Sequence, residues 1–302
     1  MAEVQLANLV EMESPKAVLD EVLLIVDRFF TRADPVAIQS AFNQTVSLYR
    51  GKWPHFRACN TDYHDLKHVT DCFLAMARLL HGAVETGAVF SSRQIHQGLV
   101  AALLHDTGYL QHAEDRQGTG AKYTDCHVRR GMDFIGRHHA SFGLRAEEIK
   151  DCQAMVLCTD INRDPALESF ADKTVEQLGK TLATADIMSQ MADRTYLEKL
   201  LFLYHELDEA RVPLFKDEVD LLIHSKAFCI RMADRFENQL SCANRFMIHH
   251  FKARWAIDAD LYQQAIEKQQ DYLAMVLADA GKDPRDRLRR RRIAAVGKEK
   301  HS

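Results

Sequence analysis

A chain of 302 residues, 47% apolar and 27% charged, has the composition of a globular protein long enough to bury a substantial core. Seven cysteines with no CxxC pair and no regular spacing exclude a disulfide framework or a zinc ribbon and point to reduced thiols in a cytoplasmic protein. The net charge is −4, no window approaches the roughly eighteen apolar residues of a membrane span, and the mildly acidic first residues do not resemble a secretory signal.

Helix signals recur along the chain, while alternating strand patterns bounded by tight turns are hard to find. The expected fold is therefore all-α, a single multi-helix domain. Ser14-Pro15 and Asp34-Pro35 each place a capping side chain before a proline, which a first helical turn tolerates, so helices should start near 15 and 35. A helix over about 64–81 carries Tyr63-His64-Asp65-Leu66-Lys67-His68 at its start. The four-residue spacing puts the imidazoles of His64 and His68 on one helix face, where both can bind a metal or one can bind while the other handles a proton. With fifteen histidines in the chain, this pair alone has little weight.

An apolar helix over 92–105 runs directly into His105-Asp106 and a glycine break. Burying adjacent ionisable groups there is costly unless a cation neutralises them. Residues 108–124 then read as a long loop, of the kind that often belongs to a site. Helices follow over 125–139, which includes His127, and 145–159, with a break at 162–172. The next helix, over 173–206, holds Asp186 within a run of small and apolar residues. Left alone, that carboxylate would shift its pKa upward or destabilise the fold, and metal coordination removes the conflict.

Helices over 217–249 and 258–279 complete the list. The adjacent pairs His138-His139 and His249-His250 diverge by about 100° around a helix and are read as structural or exposed. Residues 282–302 carry a net +6, leaving −10 for the remainder. The expected state of this basic tail is a solvated, disordered terminus, with contact to nucleic acid or an anionic surface through 285–292 as the lesser alternative.

The order His68, His105-Asp106, Asp186 resembles the HD superfamily of metal-dependent phosphohydrolases, whose defining ligands occupy those positions. Tyr63-His64-Asp65-x-x-His68 is similar to the Tyr-His-Asn-x-x-His motif of the class I cyclic-nucleotide phosphodiesterases. Met155-Val156-Leu157-Cys158-Thr159-Asp160-Ile161 resembles their Met-Val-Leu-Ala-Thr-Asp-Met segment. The similarity covers roughly 60–275, and it implies a catalytic domain over 60–281 with the helices of 1–59 packed on it. Two positions differ from the pattern: Asp65 stands for the usual Asn, and Tyr109 for a His after the His-Asp pair.

The resemblance implies that His68, His105, Asp106 and Asp186 hold a first metal, for which Zn, Fe or Mn is suited, and that Asp106 bridges to a second, Mg or Mn. It implies hydrolysis of a nucleotide phosphoester, with a 3',5'-cyclic nucleotide the preferred substrate, by a metal-bound hydroxide with His64 as general acid. His127, Asp160 and Asp65 are candidates for the second metal or the shell around the site, and Tyr63 and Gln239 for substrate contacts. A hydrogen-bonded histidine at 127 and a solvent-facing glutamine at 239 are the plain alternatives. Competing functions are a nucleotidase or dNTP phosphohydrolase, dioxygen activation at a di-iron site, and a non-catalytic nucleotide-binding signalling module.

Overall fold

The computed structural model describes residues 4–30, 33–278, 281 and 283–288, and the Arg289–292 run lies outside them. Among the described residues the fold is all-α, with eleven α-helices, no strand, and one isolated bridge between Phe56 and His112. The helices are α1 (Pro15–Phe29), α2 (Pro35–Tyr49), α3 (Leu66–Glu85), α4 (Ser92–Leu104), α5 (His127–His138), α6 (Ile149–Leu157), α7 (Lys173–Met191), α8 (Tyr196–Glu209), α9 (Glu218–Asn238), α10 (Phe246–Trp255) and α11 (Leu261–Leu277). None is long and apolar enough to cross a membrane, and all seven cysteines are free. Of the basic segment, Arg285 is described, and it pairs with Glu218 and Asp283.

The helix starts follow the expected chemistry. Ser14 Oγ accepts from the Ala17 amide, and Asp34 Oδ1 from those of Val36 and Ala37, each ahead of a proline. Residues 108–124 contain two short 3₁₀ turns, Thr107–Tyr109 and Gly120–Tyr123. Two expected long helices are each broken in two. The 173–206 stretch stops at Ala192 and restarts at Tyr196, because Asp193 Oδ1 takes the Thr195 amide and hydroxyl at 2.8 and 3.0 Å and so replaces helical bonding with a turn. The 217–249 stretch breaks between Asn238 and Phe246, where Ser241 and Cys242 both adopt positive φ. Neither is glycine, so the sequence offered no breaker signal.

The core is organised around α3, whose residues His68 through Ala83 are all buried, a helix covered on every side. It packs against α1, α4, α7 and α10. Gly82 lets α10 approach closely: a Cβ there would lie 1.8 Å from the Phe246 carbonyl oxygen. In the same seam the buried Arg78 donates to the Tyr262 hydroxyl at 3.1 Å and lies against the rings of Phe251 and Tyr262.

Next to it, His81 Nδ1 and His250 Nδ1 are 2.8 Å apart in a hydrogen bond. Burial and the neighbouring Arg78, His81 and Arg254 hold the His250 pKa well below the ordinary imidazole value. His250 therefore stays neutral when folded but takes a proton in the unfolded chain below about pH 6.5. Its contribution to stability is complete above that pH and declines as pH falls, by at most about 1.4 kcal/mol per pH unit. Thermal unfolding between pH 7.5 and 5.5 should show this decline, and His250→Gln should flatten it; parallel curves for the two proteins would refute the assignment.

Candidate metal centre

Three helix segments converge at one buried point. The first is the start of α3, capped by Asp65, whose Oδ1 accepts the His68 amide at 2.8 Å and so fixes the turn that carries the His68 ring. The second is the end of α4, where His105 and Asp106 follow the apolar run. The third is the middle of α7, which contributes Asp186. His68 Nε2 lies 3.1 Å from His105 Nε2, 3.2 Å from Asp106 Oδ2 and 3.2 Å from Asp186 Oδ1. His105 Nε2 lies 3.3 and 3.6 Å from the same two oxygens.

These spacings are those of atoms sharing one cation. Metal bonds of about 2.1 Å place neighbouring ligands about 3.0 Å apart in an octahedron and about 3.4 Å apart in a tetrahedron. The protonation pattern agrees: His105 Nδ1 donates to the Ala102 carbonyl at 2.8 Å, leaving the Nε2 lone pair directed at the cluster. Asp106 Oδ2 is buried and accepts no hydrogen bond among the described groups, its near neighbours being the two imidazole nitrogens, an environment that a cation would satisfy. His68, His105 and Asp106, all buried, form a group that could hold a metal ion, and Asp186, the fourth expected ligand, stands outside that group while meeting both imidazoles.

The electrostatics favour positive charge at this point. Burial alone would lower the pKa values of His68 and His105, but Asp106 and Asp186 outweigh it and raise both. Burial likewise pushes Asp106 and Asp186 up, and the two imidazoles more than reverse the effect. The pull of the two carboxylates on the imidazoles is the pull they would exert on a cation.

Around this group the remaining candidates take distinct places. Gly108 allows the start of α5 to press against the turn after Asp106, since a Cβ there would meet the His127 carbonyl oxygen at 1.8 Å. His127 Nδ1 donates to the Thr124 carbonyl at 2.6 Å, and its Nε2 faces Asp106 Oδ1 at 3.9 Å. The Asp106 carboxylate therefore turns one oxygen to His68 and His105 and the other to His127. His64 Nδ1 hydrogen-bonds Glu206 Oε2 at 2.6 Å, and the other Glu206 oxygen accepts the Tyr63 amide at 2.7 Å. Tyr109 is stacked between the His64 and His127 rings, with centroids at 4.2 and 4.5 Å.

Asp160 instead caps the turn after α6, accepting the Asn162 amide and pairing with Arg163. Gln239 closes α9 and accepts from Arg235, which holds the carbonyls of Cys158, Asp160, Ile161 and Arg163. The described contacts of both residues lie in this turn and not at the metal group. Tyr63 is buried and donates its hydroxyl to Gln190 Oε1 at 2.7 Å.

Two residues of the site escaped the sequence reading. Glu206 carries no local signal, because it reaches His64 only through the turn at Asp193. Gln190 did have one: it stands four positions after Asp186 on α7, so the two share a helix face. Its Nε2 lies 2.8 Å from Asp186 Oδ1 and 3.3 Å from His68 Nε2. No family model matches this chain, and no curated protein matches it significantly.

Proposed function

We propose that this chain is a metal-dependent phosphohydrolase acting on a nucleotide phosphoester, with a 3',5'-cyclic nucleotide as the preferred substrate. The observation that carries the reading is the buried group of His68, His105 and Asp106, with Asp186 Oδ1 3.2 and 3.6 Å from the two imidazoles, beside a third histidine held by its own carboxylate. His68, His105, Asp106 and Asp186 would hold a first ion, of a metal suited to mixed N and O ligands such as Zn, Fe or Mn. Asp106 Oδ1 and His127 would hold a second, Mg or Mn. When bound, such ions lower the pKa of water and neutralise charge on phosphoryl oxygens. The nucleotide class rests on the resemblance of the Tyr63–His68 and Met155–Ile161 segments to phosphodiesterase motifs. The free thiols suit a reducing cytoplasm.

The protein's own part in the chemistry is proton transfer. With Nδ1–H donated to Glu206, the proton-handling atom of His64 is Nε2. Protonated there, His64 can donate to the leaving alkoxide oxygen, while Glu206 stabilises the imidazolium and holds the ring. The stacked Tyr109 restricts ring rotation, so the proton is delivered from one direction.

His64→Ala should keep its metal and lose turnover by roughly 10²–10⁴-fold, the usual worth of general acid–base catalysis. Metal analysis of the purified protein should precede a screen against cyclic nucleotides, nucleoside monophosphates, dNTPs and an aryl phosphodiester. Hydrolysis of a monophosphate or dNTP alone would move the assignment to a nucleotidase or dNTP phosphohydrolase. Nucleotide binding by the metal-loaded chain without any hydrolysis would replace the enzyme reading with a signalling module.

A further inference from the structure

The amide of Gln190 stands inside the metal cluster. Its Nε2 is 3.3 Å from His68 Nε2 and 2.8 Å from Asp186 Oδ1, close to two of the four candidate ligands. The side chain is only partly buried, is aligned with Asp186 by its helical register, and is tethered by the Tyr63 hydroxyl, which donates to Oε1. Without a cation this orientation is the sensible one, because the NH₂ group donates to a carboxylate oxygen.

A cation reverses the preference. It takes the His68 lone pair and part of the Asp186 charge, so the amide N–H dipoles would then point at a positive ion with one acceptor already engaged. A half-turn of the amide exchanges two nearly isosteric atoms and directs Oε1 at the ion. Tyr63 keeps a hydrogen bond to the side chain, its oxygen accepting from NH₂ in place of donating to C=O. Resting on the metal reading above, we infer that Gln190 is a further ligand of the first ion, through its amide oxygen. It adds a neutral oxygen to the two nitrogens and two carboxylates, which favours ions that accept more than four ligands.

The test is Zn²⁺ affinity, measured on the full chain by competition with a chromophoric chelator, for the wild type, Gln190→Ala and Gln190→Glu. If Gln190 is a ligand, the alanine variant binds roughly tenfold or more weakly, the glutamate variant binds more tightly than wild type, and a crystal structure of the Zn²⁺-loaded wild type places Gln190 Oε1 about 2.0–2.2 Å from the ion. If Gln190 serves only as a hydrogen-bond donor to Asp186, the crystal structure of the Zn²⁺-loaded wild type leaves Oε1 outside coordinating distance of the ion, with Nε2 still donating to Asp186. That result, or an alanine variant with unchanged affinity, overturns the inference. A wild-type chain that takes up no Zn²⁺ or Mn²⁺ instead removes the metal reading on which it rests.

Discussion

Asp106→Ala should abolish both metal retention and hydrolysis, the largest functional effect expected of any single substitution in this chain. The two oxygens of Asp106 face two different imidazole groups, Oδ2 toward His68 and His105 and Oδ1 toward His127. Its loss takes a ligand from one position and the bridge from the other. Lewis-acid stabilisation is worth several kcal/mol and each 1.4 kcal/mol is tenfold in rate, so turnover should fall by about 10³-fold or more. Elemental analysis after gel filtration should find no bound metal, and circular dichroism should find the helices intact. Full activity in this variant would end the hydrolase proposal, and retained metal with lost activity would confine Asp106 to the second position.

Gly82→Ala should be among the most destabilising substitutions, its backbone clash matched in depth by the one at Gly108. The added methyl would meet the Phe246 carbonyl oxygen at 1.8 Å and its carbon at 2.7 Å. These are backbone atoms of α10, and they cannot swing aside as a flexible side chain can. Relief requires α10 to move away from α3, opening the seam that contains Arg78, His81, His250 and Phe251. Overpacking of a tight core commonly costs 1–3 kcal/mol, and a backbone clash of this depth belongs at the upper end, about 3 kcal/mol. In a chain of this size that corresponds to a fall in Tm of roughly 5 °C. Gly87→Ala is the control: Gly87 has no atom within 4 Å of the corresponding position, though its positive φ adds local strain. A Gly82→Ala protein melting within 2 °C of wild type would contradict the packing described.

The all-α class was legible because capping side chains, prolines and apolar periodicity agree over most helices, each signal being local to a few residues. The metal group was legible for a different reason. Buried carboxylates and imidazoles beside apolar runs, as at Leu104-His105-Asp106 and Ala185-Asp186-Ile187, are unfavourable unless something neutralises them, so the oddity is visible before the fold is known. What could not be read was anything that depends on a reversal of the chain. Helices α7 and α8 looked like one helix because Asp193 and Thr195 are compatible with a helix interior. Only the side-chain bonds of Asp193, a residue also paired with Lys67 and Lys199, show that the backbone turns there. Gln239 shows the converse: a glutamine that looked free to meet a ligand closes a helix and holds Arg235.

The turn at Asp193 has a consequence for how far apart two functional side chains can stand. Asp186 and Glu206 are twenty residues apart in sequence, and in an uninterrupted helix rising 1.5 Å per residue they would be separated by about 30 Å. Because the chain doubles back, Glu206 grips Tyr63 and His64 while Gln190, one turn beyond Asp186, grips the hydroxyl of that same tyrosine. An insertion or deletion in the four residues from Ala192 to Thr195 would rotate α8 about its own axis. It would dislodge the carboxylate behind His64 while leaving every candidate metal ligand where it is.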